Sequence, residues 1–123
     1  MSVPKRALGS QGLIVSAIGL GCMGMTAFYG DFDRASSEEE SLRTIEVALD
    51  RGVNFFDTAW IYQSFGADGK DNTTNEELLG KAMNKLGREK FVIATKFGIY
   101  FGEQGIAYSG KAELIRSVFP LKQ

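Results

Sequence analysis

The chain has 123 residues, with fourteen basic and fifteen acidic side chains, a net charge of −1 and no long run of either sign. That leaves room for one domain and offers no polyelectrolyte surface for nucleic acid or lipid. It has one cysteine, Cys22, and no histidine, which excludes an internal disulfide and Ser-His-Asp or Cys-His catalysis and argues against a transition-metal site.

No apolar stretch approaches the length that spans a bilayer, and Met1-Ser2-Val3-Pro4-Lys5-Arg6 lacks the apolar core of a signal segment. The expectation is a cytoplasmic protein in which Cys22 is a small packed residue. The first element reads as a hairpin, Arg6-Ala7-Leu8 against Leu13-Ile14-Val15, turned by Gly9-Ser10-Gln11-Gly12. A strand follows, ending in Ala17-Ile18-Gly19-Leu20-Gly21, and then a loop over 22–35 rich in glycine, aromatics and aspartate. Such a loop is longer than a connection requires.

Ser37 stands three residues before Glu40 within an acidic first turn, the pattern of a capping box, and Leu42, Ile45, Ala48 and Leu49 share one helical face up to the stop at Gly52. A second helix repeats the design, with Thr74 and Glu77 as its box, Leu78, Leu79, Ala82, Met83 and Leu86 as its stripe and Gly87 as its stop. The short strand Val53-Asn54-Phe55-Phe56-Asp57 precedes the second helix, and Phe91-Val92-Ile93-Ala94-Thr95-Lys96 follows it. Residues 63–72, with Gly66, Gly69 and little apolar content, read as an exposed loop. A third helix is expected to start within 109–116, and Pro120 breaks it. From Ser16 to Val53 is 37 residues and from Val53 to Phe91 is 38, a strand-to-strand period that implies right-handed βα units and a parallel sheet.

Chemistry-bearing residues gather at the strand ends, where βα repeats build active sites. Asp57 and Lys96 close the two apolar strands, and Tyr62 lies five positions beyond Asp57. An ammonium beside a phenol stabilises the phenolate, and a carboxylate holds that ammonium charged, so the trio suits protonating a carbonyl oxygen or deprotonating an alcohol. Trp60 and Tyr29 are candidate pocket walls. Gly19-Leu20-Gly21-Cys22-Met23-Gly24 matches the G-x-G-x-x-G dinucleotide fingerprint, but the next helix starts more than ten residues too late and Asp57 lies 38 beyond Gly19. A small Rossmann-type NAD module is therefore the weaker reading, and a glycine-rich strand end open to a ligand the stronger.

Four segments carry a resemblance: 18–24, Gly52-Val53-Asn54-Phe55-Phe56-Asp57-Thr58-Ala59-Trp60-Ile61-Tyr62, Thr74-Asn75-Glu76-Glu77-Leu78-Leu79-Gly80, and 92–98. In order, they resemble the N-terminal part of an aldo-keto reductase, nearest the branch with perakine reductase and the potassium-channel β subunits. The resemblance implies an α/β fold, the N-terminal portion of a (β/α)8 TIM barrel, with about three βα units behind a hairpin that covers the bottom. It further implies NADPH-dependent reduction of an aldehyde or ketone, with Tyr62 as general acid, Lys96 lowering its pKa and Asp57 paired with Lys96. Gly21, Cys22, Met23 and Asp57 would lie at the nicotinamide end of the cofactor.

The family's histidine and its pyrophosphate-gripping segments fall beyond residue 116, and eight units need about 300 residues. The chain is thus expected to be a partial domain over 1–123, truncated and poorly active or inactive, with exposed sheet edges that make it unstable or aggregation-prone. Its expected partner is a small carbonyl compound, with association with a full-length relative as the non-catalytic alternative.

Overall fold

The computed structural model describes residues 2–27, 38–65 and 72–118. Two four-residue strands, β1 (Lys5–Leu8) and β2 (Leu13–Ser16), pair antiparallel in register Lys5↔Ser16 to Leu8↔Leu13. They form the expected hairpin. Beyond it the strands β3 (Leu20–Gly21), β4 (Phe55–Asp57) and β7 (Val92–Ala94) make a parallel sheet in the order β3-β4-β7. Helix α1 (Glu38–Asp50) precedes β4 and helix α2 (Asn75–Leu86) precedes β7, so the two right-sized βα crossovers are present. No closed barrel forms among the described residues.

The core lies between the sheet and the two helices. Cys22, Ile45, Phe56, Leu79, Ala82 and Phe91 are buried together, and Leu42, Ala48, Leu49, Met83 and Leu86 pack around them. Both helical stripes therefore face inward as their spacing predicts. Phe56 and Phe91 stack at a tilt with centroids 4.9 Å apart. At the start of α2 the capping box is complete: the Glu77 amide donates to Thr74 Oγ1 at 3.1 Å and the Thr74 amide to Glu77 Oε2 at 3.4 Å. Ser37, the expected cap of α1, lies outside the described residues. Gly52 follows α1 at φ 87°, a conformation L-residues resist, and a Cβ there would also press on Ser2 and Val3 at 3.3 Å.

The hairpin sits at the N-terminal ends of the sheet strands. Val3 N–H donates to Arg51 O, Lys5 Nζ to Gly52 O, and Ser16 and Asn54 exchange two hydrogen bonds, Ser16 N–H to Asn54 Oδ1 at 2.6 Å and Asn54 N–H to Ser16 Oγ at 3.1 Å. It closes that end and leaves the opposite one, where Asp57 stands, open.

Two expectations need correction. The sheet strands are shorter than the apolar runs: Ala17, Ile18 and Gly19 precede β3, and β7 stops at Ala94, so Lys96 lies two residues past the strand it was expected to close. Residues 63–72 are not simply a loop, because β5 (Gln63–Phe65) and β6 (Asn72–Thr74) pair antiparallel and deliver the chain directly into α2. A second hairpin that the sequence did not announce, β8 (Ile99–Gly102) and β9 (Gly105–Tyr108), stands between β7 and the last helix, α3 (Ala112–Val118), which starts within the expected span 109–116. Pro120 lies outside the described residues.

Candidate active site

The open end of the sheet is built by strand pairing carried past the strands themselves. Asp57 is in register with Ala94, and two further bonds extend the ladder, Thr58 N–H to Ala94 O at 2.8 Å and Trp60 N–H to Lys96 O at 3.0 Å. That extension sets Lys96 beside Asp57 even though both runs of regular strand have ended. The Lys96 ammonium donates to Asp57 Oδ1 at 2.5 Å and to Thr58 O at 2.7 Å, and it lies 5.2 Å from the centre of the Tyr62 ring. The three residues singled out in the sequence thus converge on one nitrogen.

The pair is half-exposed, with Lys96 and Asp57 side chains at 48% and 49%. Burial pulls the Lys96 ammonium down. The hydrogen bond and charge of Asp57, followed by the charge and hydrogen bond of Tyr62, outweigh it and hold Lys96 above the usual lysine value. Lys96 is a permanent cation at neutral pH, aimed between a carboxylate and a phenol.

Tyr62 is positioned by its backbone. Its N–H closes a tight turn onto Ala59 O at 3.0 Å, and its carbonyl accepts the Asn75 amide at 2.8 Å and the Thr26 hydroxyl at 3.4 Å. Asn75 is fully buried at the first position of α2, where its Nδ2 donates to Cys22 O at 2.8 Å and to Thr26 Oγ1 at 2.7 Å, and its Oδ1 accepts from Thr58 Oγ1 at 2.6 Å. Sequence reasoning passed over Asn75, since a polar residue beside a capping threonine looks like part of the cap. The signal was its phase: Asn75, Leu78, Leu79 and Ala82 fall on one face, so the amide points where an apolar side chain belongs.

The segment expected to meet a cofactor divides in two. Gly21 is exposed at the end of β3, with no atom within 4 Å of where a Cβ would stand, and Met23 is half-buried in a single 3-10 turn, Met23–Met25. Cys22, between them, is turned into the core and wholly buried. Its amide donates to Asp57 O at 2.9 Å, locking the segment to β4. Burial, then the Asp57 charge, pushes its thiol up to about 12, with Lys96 opposing, so Cys22 presents backbone rather than sulfur to the rim. An open glycine beside a half-exposed carboxylate fits the nicotinamide end of a dinucleotide, which needs a flat approach to backbone and an acceptor for its hydroxyl and amide groups. Trp60 is half-buried near this rim, and Tyr29 lies outside the described residues. Among the described residues no three His, Cys, Asp or Glu side chains group to hold a metal ion, and no helix is long and apolar enough to cross a membrane.

The pattern that defines the Aldo/keto reductase family matches residues 17–119. Over 111 residues the chain is 43% identical to Probable aldo-keto reductase 1 of Glycine max, covering 89% of this chain and 29% of that protein. Among solved structures it is similar to an aldo-keto reductase from Pseudomonas aeruginosa, with a TM-score of 0.71 at 30% identity over 93% of this chain and 39% of the other. It is also similar to the holo form of aldo-keto reductase AKR11C1 from Bacillus halodurans, with a TM-score of 0.69 at 32% identity over 94% of this chain and 33% of that one. In each case the chain spans well under half the relative's length.

Proposed function

Because the chain belongs to the aldo/keto reductase family, carrying the first three strands of its barrel, we propose that the open strand end is a carbonyl-reducing site in which Tyr62 is the acid. The observation that carries this reading is the Lys96 ammonium, bonded to Asp57 at 2.5 Å and lying 5.2 Å from the Tyr62 ring. NADPH, when bound at Gly21, Met23 and Asp57, supplies the hydride.

The chain's own residues supply the rest. Tyr62 donates a hydrogen bond to the carbonyl oxygen and then its proton, as negative charge develops there. Lys96 stabilises the phenolate left behind, and Asp57 keeps the ammonium in place against the pull of solvent. In the alcohol-oxidising direction the same phenolate takes the proton back. The Cys22 amide fixes Asp57 through its carbonyl, so the charged side chain is free to face the ligand.

With three strands of rim and no histidine in its sequence, the 123-residue chain is proposed to bind the cofactor weakly and turn over slowly. Trp60 is the single tryptophan and serves as the probe. NADPH added to the purified chain is expected to quench Trp60 fluorescence, NADH equally so because Gly21, Met23 and Asp57 meet only the nicotinamide end, and Asp57→Ala is expected to weaken the quenching. Absence of quenching at millimolar NADPH sinks the reading. Consumption of NADPH with 4-nitrobenzaldehyde, followed at 340 nm, is expected to be slow and to vanish in Tyr62→Phe. A rate in the ordinary enzyme range of about 1–10³ s⁻¹ would overturn the claim of weak turnover.

A second reading, association with a full-length relative, is favoured by the β8–β9 hairpin, which exposes Ile99, Phe101, Ile106 and Tyr108 on one face. Co-migration of the chain with a full-length aldo-keto reductase in size-exclusion chromatography tests it, and separate elution at tens of micromolar rejects it.

A further inference from the structure

We propose that Asn75 is a positioning residue whose buried amide ties the Thr58 and Tyr62 turn to the segment after β3 and so sets Tyr62 against Lys96. The inference rests on the reading of Tyr62 and Lys96 as a working pair.

Helix α2 does not need Asn75 for its own start, since Thr74 and Glu77 already satisfy the first turn. Nor does the core need it, because position 75 continues a stripe that an apolar residue would fill. A buried amide there destabilises unless every group is paired, and here every group is. Cys22 O can only accept, so Nδ2 must face it; that fixes the amide's orientation and leaves Oδ1 for the Thr58 hydroxyl. The Thr26 hydroxyl accepts from Nδ2 and donates a hydrogen bond to Tyr62 O, while the Asn75 backbone N–H donates to that same carbonyl.

One residue therefore reaches three segments: the turn after β3 that carries the candidate cofactor contacts, Thr58 whose carbonyl receives Lys96, and the carbonyl of Tyr62. The Thr58 side chain is held on one side of the turn and the Tyr62 backbone on the other, which leaves the four peptide links between them little freedom to swing the phenol away. Buried polar networks of this kind specify one arrangement more than they add stability.

The Lys96 side-chain nitrogen reports the arrangement without cofactor or turnover. In ¹⁵N-lysine-labelled chain, the Lys96 ammonium, assigned with Lys96→Met, is expected to titrate above the usual lysine value because Asp57 and Tyr62 both face it. Asn75→Ala and Thr58→Val should each lower that midpoint toward the usual lysine value, as Tyr62 moves away and the Thr58 carbonyl loosens. Leu79→Ala, which opens the same core without touching the network, should leave it in place. Thr58→Val keeps the side-chain volume, so it decides the matter where Asn75→Ala does not fold. A midpoint unmoved in folded Thr58→Val overturns the proposal, and so does an intact chain whose Lys96 titrates at the usual lysine value. Since no NADPH is present, failure of cofactor binding and failure of the positioning role are read separately.

Discussion

Lys96 and Asp57 touch at 2.5 Å yet are half-exposed, and exposed ion pairs contribute only about 0–1 kcal/mol. Their value is therefore local and chemical. Lys96→Met is expected to move the thermal midpoint by only a degree or two, while NADPH consumption falls to the level of Tyr62→Phe. A large loss of stability with unchanged consumption would contradict that assignment. Cys22 gives the opposite case, a buried group with no rim chemistry. Its thiol is raised to about 12 from 9.0 and Lys96 is raised from 10.5. Both groups hold protons in the folded chain that the unfolded chain releases first, so the stability they contribute is intact below pH 9 and is lost as pH climbs toward 12. Thermal midpoints are expected to be flat from pH 7 to 8.5 and to fall above 9, with a shallower fall in Cys22→Ala. At this scale the convergence of Asp57, Tyr62 and Lys96 was legible because two oppositely charged residues end adjacent apolar runs and a phenol follows five positions on, a set that means more together than any member alone. Asn75 was not, because its meaning lies in three partners from distant parts of the chain, and no local pattern announces them.

Elements were legible in proportion to their periodicity. Both long helices carry caps, stripes and glycine stops, three signals that agree, and α2 begins and ends as those signals imply. Removing one signal should be measurable: Thr74→Ala deletes half the capping box and is expected to cost about 1 kcal/mol, read as a drop in the urea midpoint at unchanged slope. Gly52→Ala should cost more than that, because the new Cβ meets both a φ of 87° and neighbours at 3.3 Å. The two later hairpins, β8–β9 and β5–β6, were harder than β1–β2. The β8–β9 turn is marked only by Gly102 and by Gly105 at φ 109° around Glu103 and Gln104, and β5–β6 lacks the alternation that identifies a strand. Strand ends were overread for a related reason. An apolar run is not by itself a paired strand: Ala17, Ile18 and Gly19 are exposed ahead of β3, and Thr95 and Lys96 are exposed past β7.

Taken whole, the molecule has a layered core on one face of a three-stranded parallel sheet whose outer strands, β3 and β7, have no neighbour on their far sides among the described residues. Parallel sheets are normally covered on both faces and closed or flanked at their edges. Among the described residues the β8–β9 hairpin adds a second, partly exposed apolar surface. Cross-strand pairing sets Ile99 beside Tyr108 and Phe101 beside Ile106, and the four are 45%, 84%, 47% and 61% exposed. Contiguous apolar pairs of this size favour contact with another apolar surface over water. In sedimentation velocity the 123-residue chain is therefore expected to self-associate as concentration rises from a few to about a hundred micromolar. The double variant Phe101→Lys with Ile106→Glu places opposite charges directly across the hairpin, which supports its pairing while removing the apolar face. That variant should remain monomeric if the hairpin is the sticky surface. If it self-associates as strongly as the original chain, the open strand edges β3 and β7 are the cause, and lysine at Ile18, 66% exposed just ahead of β3, becomes the substitution expected to disperse it.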